Sequence, residues 1–178
     1  MSILKLSYGN SYLPKLFYHF SENEACIVVS KKFLLFVLNN LKLHSLFNYN
    51  ILICASGIDL FGLSYRFCVS YELLSLCFNS RIRIKVFLNE FSSIPSASDI
   101  FVNSVWWERE IWDMFGIYFN NNLDLRRILT DYGFEGFPLR KDFPLSGFYG
   151  VTYSTISKLI VEEPLVLSQE YRNFLLTN

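Results

Sequence analysis

Leu63, Tyr65, Phe67, Val69, Tyr71 and Leu73 alternate with Ser64, Arg66, Cys68, Ser70 and Glu72. A period of two held this long predicts an extended strand with one buried face. The apolar run Ile51 to Leu60 precedes it and turns into it through Phe61-Gly62, which predicts a hairpin. A third strand follows Asn79-Ser80, with Ile82, Ile84, Val86 and Leu88 facing in and Arg81, Arg83 and Lys85 facing out. That basic stripe fits a solvated or edge-protecting face better than a phosphate-contacting one. Upstream, Cys26 to Val29 reads as a short apolar strand. Ser30 then offers an N-cap oxygen to a helix through Lys32, Leu34, Leu35, Leu38 and Leu41, whose solvated side carries Asn39, Asn40 and Lys42. These elements predict an α+β domain, an antiparallel or mixed sheet with packed helices.

Ser92 to Ser98 is a polar loop containing Pro95, and helical periodicity returns at Asp99 with Ser98 as the expected N-cap. Steps of about 100° place Ile100, Phe101, Val105, Trp107, Ile111, Trp112, Met114 and Phe115 on one arc roughly 180° wide. That is broader than a helix needs to cover its own sheet. Glu108 projects from the middle of this arc and is therefore expected to meet a basic partner, one of the arginines, or to sit at a polar seam, because an unpaired buried carboxylate is costly. Trp106 stands on the opposite arc among Asn103, Arg109, Glu110 and Asp113, the setting of an interface anchor. Arg109 and Asp113, four apart, are expected to pair on the surface.

Beyond Gly116 the periodicity is lost. Residues 123–147, LDLRRILTDYGFEGFPLRKDFPLSG, are punctuated by Gly133, Gly136, Pro138, Pro144 and Gly147 and carry Arg126, Arg127, Asp131, Arg140, Lys141 and Asp142. Such a stretch is too irregular to form a core alone and too apolar for a solvated linker. The expected division is an α+β domain over 1–118 and an irregular, extended C-terminal segment over 119–178 that wraps on partner subunits.

Composition narrows the functional classes. The 178 residues balance 16 basic against 16 acidic side chains, 52% are apolar, and only 18% are charged against the usual quarter or so. Neutral charge argues against a dedicated nucleic-acid binder, and the apolar content against disorder. The best candidate for a span, Leu43 to Ile58, is short and holds His44, Asn48 and Asn50, so no direct membrane span is expected. Cys26, Cys54, Cys68 and Cys77 form no close-spaced pair, and His19 and His44 complete no ligand pattern, so no metal is expected. The first arginine is Arg66, which is unlike an imported mitochondrial precursor. Phe, Tyr, Met, Ile, Asn and Lys supply 67 residues against 24 from Gly, Ala, Arg and Pro, the mark of an AT-rich, organelle-type gene.

Catalysis by this chain alone finds no support. Glu108 and Glu110 diverge by about 200° around the helix, and no G-x-S-x-G, P-loop or G-x-G-x-x-G is present. Binding of single-stranded RNA through Trp106, Trp107 and Arg126-Arg127, by a soluble interaction domain in an organelle, is the alternative.

The run WWEREIWDMFGIYF (Trp106 to Phe119), followed by DLRRILTDYGFEG (Asp124 to Gly136) and PLRKDFPLSG (Pro138 to Gly147), closely resembles the signature of the NADH dehydrogenase subunit 9 family. These are the thirty-kilodalton subunits of respiratory complex I, with counterparts in the bacterial enzyme. PSASDIF (Pro95 to Phe101) and EPLVLSQEYRNF (Glu163 to Phe174) extend the resemblance. It implies a non-catalytic core subunit of the peripheral arm, on the matrix side of the mitochondrial inner membrane. It also implies partners in the quinone-site subunit and the terminal iron–sulfur cluster subunit. In that family FMN, the iron–sulfur clusters and ubiquinone belong to neighbouring subunits and this chain holds none. Trp106, Glu108, Arg109, Glu110, Arg126, Arg127, Asp131, Arg140, Lys141 and Asp142 are the expected partner contacts or braces of the extension. Two departures stand out: Asn122-Leu123 replaces the usual His-Pro before D-L-R-R, and Phe137 replaces the histidine of G-H-P.

Overall fold

The computed structural model describes residues 18–21 and 24–166. Residues 1–17 of the N-terminal stretch lacking arginine and residues 167–174 of the family-like tail lie outside the described residues. Five strands form one mixed sheet: β1 (Tyr18–Ser21), β2 (Glu24–Val28), β3 (Ile51–Asp59), β4 (Phe67–Ser75) and β5 (Ser80–Leu88), in the order β1-β2-β5-β4-β3. β3, β4 and β5 form an antiparallel meander, whereas β2 runs parallel to β5. The chain reaches that parallel position through a 3-10 turn (Lys31–Phe33), helix α1 (Leu34–Leu43) and the β3–β4 hairpin. β5 is therefore an interior strand, and Arg81, Arg83 and Lys85 protect no edge. Arg83 instead forms an ion pair with Glu72, its cross-strand neighbour on β4.

Ile82, Ile84, Val86 and Leu88 are buried as their alternation predicts. The longer alternation from Leu63 is only half strand. Leu63 and Tyr65 are exposed in the hairpin loop, which closes with the Leu60 N–H donating to the Arg66 carbonyl at 2.7 Å. Period two alone cannot separate a strand from a loop that continues its spacing. Ser30 precedes the 3-10 turn with extended backbone, but its side chain caps nothing.

α1 and the second helix, α2 (Ser104–Phe115), share one core with the inward residues of the sheet. α2 begins five residues later than Asp99. The intervening chain is taken up by turns, in which the Ala97 carbonyl accepts from Ile100 and Phe101, and the Ser98 N–H is bound by the Ser96 hydroxyl. Asn103 holds the N-cap position but sends its side chain to the Leu52 carbonyl, 2.8 Å away, tying the head of α2 to β3. Its foot lies on Gly57, where an added Cβ would come within 2.6 Å of the Phe115 ring. Gly116 ends the helix at φ +72°, a left-handed conformation suited to glycine.

Two further small sheets follow. β6 (Ile94–Pro95) pairs in parallel with β7 (Phe119–Asn120), and β8 (Tyr149–Ser154) pairs with β9 (Leu159–Pro164) in an antiparallel ribbon. Both strands of that ribbon are largely exposed on both faces.

Candidate functional site

Charged side chains gather where α2 meets the chain that follows it. Glu108 is fully buried at this seam. No arginine among the described residues meets it, so the expected arginine pairing gives way to the polar seam. Its Oε2 accepts from the Ser96 hydroxyl at 2.6 Å and from Asn122 Nδ2 at 2.7 Å, and its Oε1 accepts from the Ala97 N–H at 2.7 Å. Three neutral donors replace a cation because the facing chain, Ser96-Ala97 and Asn122, brings hydroxyl, amide and backbone groups into reach. Asn122 therefore supplies a donor that does not titrate. Burial pushes the Glu108 carboxyl above its ordinary range, and these hydrogen bonds offset only part of the rise.

Asp113, one turn and a half further along α2, is also fully buried. It does not pair with Arg109. Its Oδ2 accepts from the N–H groups of Ile128, Leu129 and Thr130 at 3.2, 2.7 and 3.0 Å, and its Oδ1 from the Thr130 hydroxyl at 2.6 Å. Burial would raise this carboxyl, but the Thr130 hydroxyl and the three N–H groups outweigh it and hold the pKa below the usual value. A helix side chain thus serves as the cap of a turn in the extension. Arg127 lies 3.5 Å from Asp113, donates to the Gly136 carbonyl, and stacks over Phe134 and Phe137.

A second cluster fastens the later part of the extension to the hairpin. Arg66, in the β3–β4 loop, contacts Asp59, Glu90 and Asp142 at 3.2, 2.9 and 2.9 Å. Arg140 donates to the Phe115 carbonyl at 2.6 Å, contacts Glu90 at 3.3 Å, and stacks over Phe67 and Phe137. The Lys141 backbone N–H donates to Asp59 at 2.8 Å, while its side chain is exposed. Burial works against ionised Asp59, but the bond from Arg66 and then that from Lys141 hold its pKa low. Asp59, Arg66 and Glu90 escape sequence reading because each stands at a polar position of a strand or turn, where solvation is the default.

The remaining expected residues are more loosely held. Trp106 is 64% exposed, with the Arg109 guanidinium 4.9 Å from its ring. Arg109 is buried and donates to the Arg126 carbonyl at 3.2 Å, and Arg126 contacts Asp124 at 3.1 Å. Glu110 is partly exposed, and Asp131 is exposed, its carboxylate accepting from the adjacent Tyr132 N–H. Trp107 packs against the core rather than beside Trp106, so the two tryptophans do not form a continuous stacking surface for bases.

The architecture defines the class first: an α+β domain with a tethered, irregular extension. The same fold occurs in a chain of the membrane-bound sulfane sulfur reductase, an archaeal respiratory membrane complex, with a TM-score of 0.67 over 81% of this chain and 85% of that one. At 21% identity, that likeness shows the fold alone. The family follows from sequence. Residues 27–149 match the model of the respiratory-chain NADH dehydrogenase 30 Kd subunit. The chain is 52% identical to NADH dehydrogenase [ubiquinone] iron-sulfur protein 3 of Beta trigyna over 75% of this chain and 70% of the relative. It is 45% identical to that of Oryza sativa subsp. japonica over 94% and 90%, and 43% identical to NADH-ubiquinone oxidoreductase subunit 9 of Reclinomonas americana over 94% and 81%. The chain belongs to the 30 kDa subunit family of respiratory complex I, and is a subunit of the NADH:ubiquinone oxidoreductase.

The relatives' name mentions iron and sulfur, but the described residues of this chain offer no ligand set for a cluster. No three His, Cys, Asp or Glu side chains converge as a ligand set among the described residues. Burial pushes the Cys68 thiol up to about 11, away from the thiolate a ligand must be. No helix among the described residues is long and apolar enough to cross a membrane.

Proposed function

We propose that this subunit is a non-catalytic scaffold of the peripheral arm of complex I, at the matrix side of the mitochondrial inner membrane and encoded in the organelle. Its domain, 1–118, seats beside the terminal iron–sulfur cluster subunit. Its extension, 119–178, lies along that subunit and the quinone-site subunit and fixes their geometry. FMN, the clusters and ubiquinone stay in the neighbours, and the NADH-to-ubiquinone chemistry is the work of the assembly.

One observation carries this reading. Beyond Asn121 the chain is pinned by Asp113 near its start and by Arg66 further along, yet displays Leu123, Tyr132, Leu145, Ile156 and Val166 almost fully to solvent. On the β8–β9 ribbon, Tyr149, Val151, Tyr153 and Ile160 share one exposed face. An isolated two-stranded ribbon is marginally stable in water, and apolar display on this scale marks an interaction surface. Trp106, Arg126 and Asp131, which are exposed, and Glu110, which is partly exposed, are the proposed partner contacts. Glu108, Arg109, Arg127, Arg140, Lys141 and Asp142 are the proposed braces.

Native electrophoresis of an organelle membrane extract tests this reading. The chain should migrate with NADH dehydrogenase activity, and a chain migrating only by itself would refute it.

A further inference from the structure

We propose that one ordered water molecule sits between α2 and the centre of the sheet, hydrogen-bonded to the Tyr71 phenol, the Ser104 hydroxyl and Oε1 of Glu108.

The topology brings these groups together. α2 is tied to Leu52 at its head and rests on Gly57 at its foot, so its middle passes over Ala55. Ala55 pairs with Tyr71 on β4. The small alanine leaves the long tyrosine side chain room to reach beneath the helix, and the negative charge of Glu108 acts on its phenol. Ser104 lies one helical turn before Glu108 on the same face, close enough to favour the ionised carboxylate yet outside hydrogen-bond geometry.

All three side chains have no solvent exposure, and neither hydroxyl finds a hydrogen-bond partner among its protein neighbours. Buried hydroxyls are seldom left unpaired. The carboxylate has capacity to spare: of roughly four acceptor directions, Ser96 and Asn122 use two on Oε2 and Ala97 one on Oε1. A water accepting from Tyr71 and donating to Oε1 and to Ser104 Oγ gives each of the two hydroxyls a partner and makes the usual complement of about three bonds for a buried water. Burial and then the charge of Glu108 keep the phenol protonated, which fixes its role as donor.

A density map of the intact complex that resolves ordered water tests the proposal, compared with one from a Tyr71→Phe, Ser104→Ala double variant. The expected result is a peak within hydrogen-bond distance of all three atoms in the wild type. In the variant it should be absent, with Ala97 and Asn122 still on Glu108. Either hydroxyl bonded directly to Glu108 with no peak between them, or a peak that persists in the variant, would overturn the proposal. Should the variant fail to assemble, the wild-type map is sufficient: a peak bonded to all three atoms supports the bridging water, and its absence overturns it.

Discussion

Asp113 of α2 accepts a 2.7 Å hydrogen bond from the backbone N–H of Leu129, sixteen residues further along the chain. That bond and its neighbours convert an aperiodic segment into an ordered one. Asp113→Ala leaves the N–H groups of Ile128, Leu129 and Thr130 without their acceptor, at a cost on the order of 3 kcal/mol. Limited proteolysis of the assembled complex should show new cleavage near Leu129. Unchanged protection there would count against this role.

Arg66 joins the hairpin loop, Glu90 and the extension, and its guanidinium is held even more firmly protonated by Asp59 than an ordinary arginine. Arg66→Met keeps much of the stem but strands buried Asp59, and breaking one member of such a buried pair costs about 3 to 5 kcal/mol. Levels of assembled complex should fall. Arg66→Lys should recover only part of the loss, because one ammonium cannot span three carboxylates.

Gly116 joins α2 to the extension at φ +72°, and an added Cβ would lie 2.6 Å from the Phe137 ring and 2.7 Å from Arg140. Gly116→Ala carries about 1 to 2 kcal/mol of left-handed strain besides displacing Arg140 from the Phe115 carbonyl. A lowered thermal midpoint of the complex is expected. Gly133→Ala, where φ is +73° but nothing lies within 4 Å, should lower it less.

The buried carboxylates give the complex opposing pH responses. Asp59 and Asp113 have lowered folded pKa values, so the stability they contribute is present above the unfolded value of about 3.9 and is lost as pH falls through the folded ones. Glu108 has a raised folded pKa, so its protonated form is favoured in the fold and its contribution is lost as pH rises from about 4.3 through the raised value. Comparing thermal inactivation of the wild type with that of Glu108→Gln checks the sign. The wild type should lose more stability between mildly acidic and neutral pH than the variant.

Reading the sequence recovers the β5 alternation, the paired hydrophobic stripes of α1 and α2 and the hairpin, because each is set by local periodicity. It does not place β2 beside β5, since a parallel neighbour is a tertiary choice. It starts α2 too early because Ser98 and Asp99 suit a turn as well as a cap. Glu108 and Asp113 stand out as acids on a mostly apolar helix, yet their partners are wrong. Carboxylates can be satisfied by backbone N–H groups, hydroxyls and amides, and none of these leaves a charge pattern to read. The family motif spans the segment in which these contacts lie without showing which of its residues turn inward.

The scaffold reading is tested most directly on the β8–β9 ribbon. Tyr149, Val151, Tyr153 and Ile160 share one exposed face, and replacing them together with threonine leaves the domain core untouched. Quantitative native electrophoresis of organelle membranes should then show a strong fall in assembled complex I activity, with this chain accumulating in smaller assemblies. Normal levels of fully assembled, active complex in that variant would contradict the claim that the extension binds its neighbours through this face.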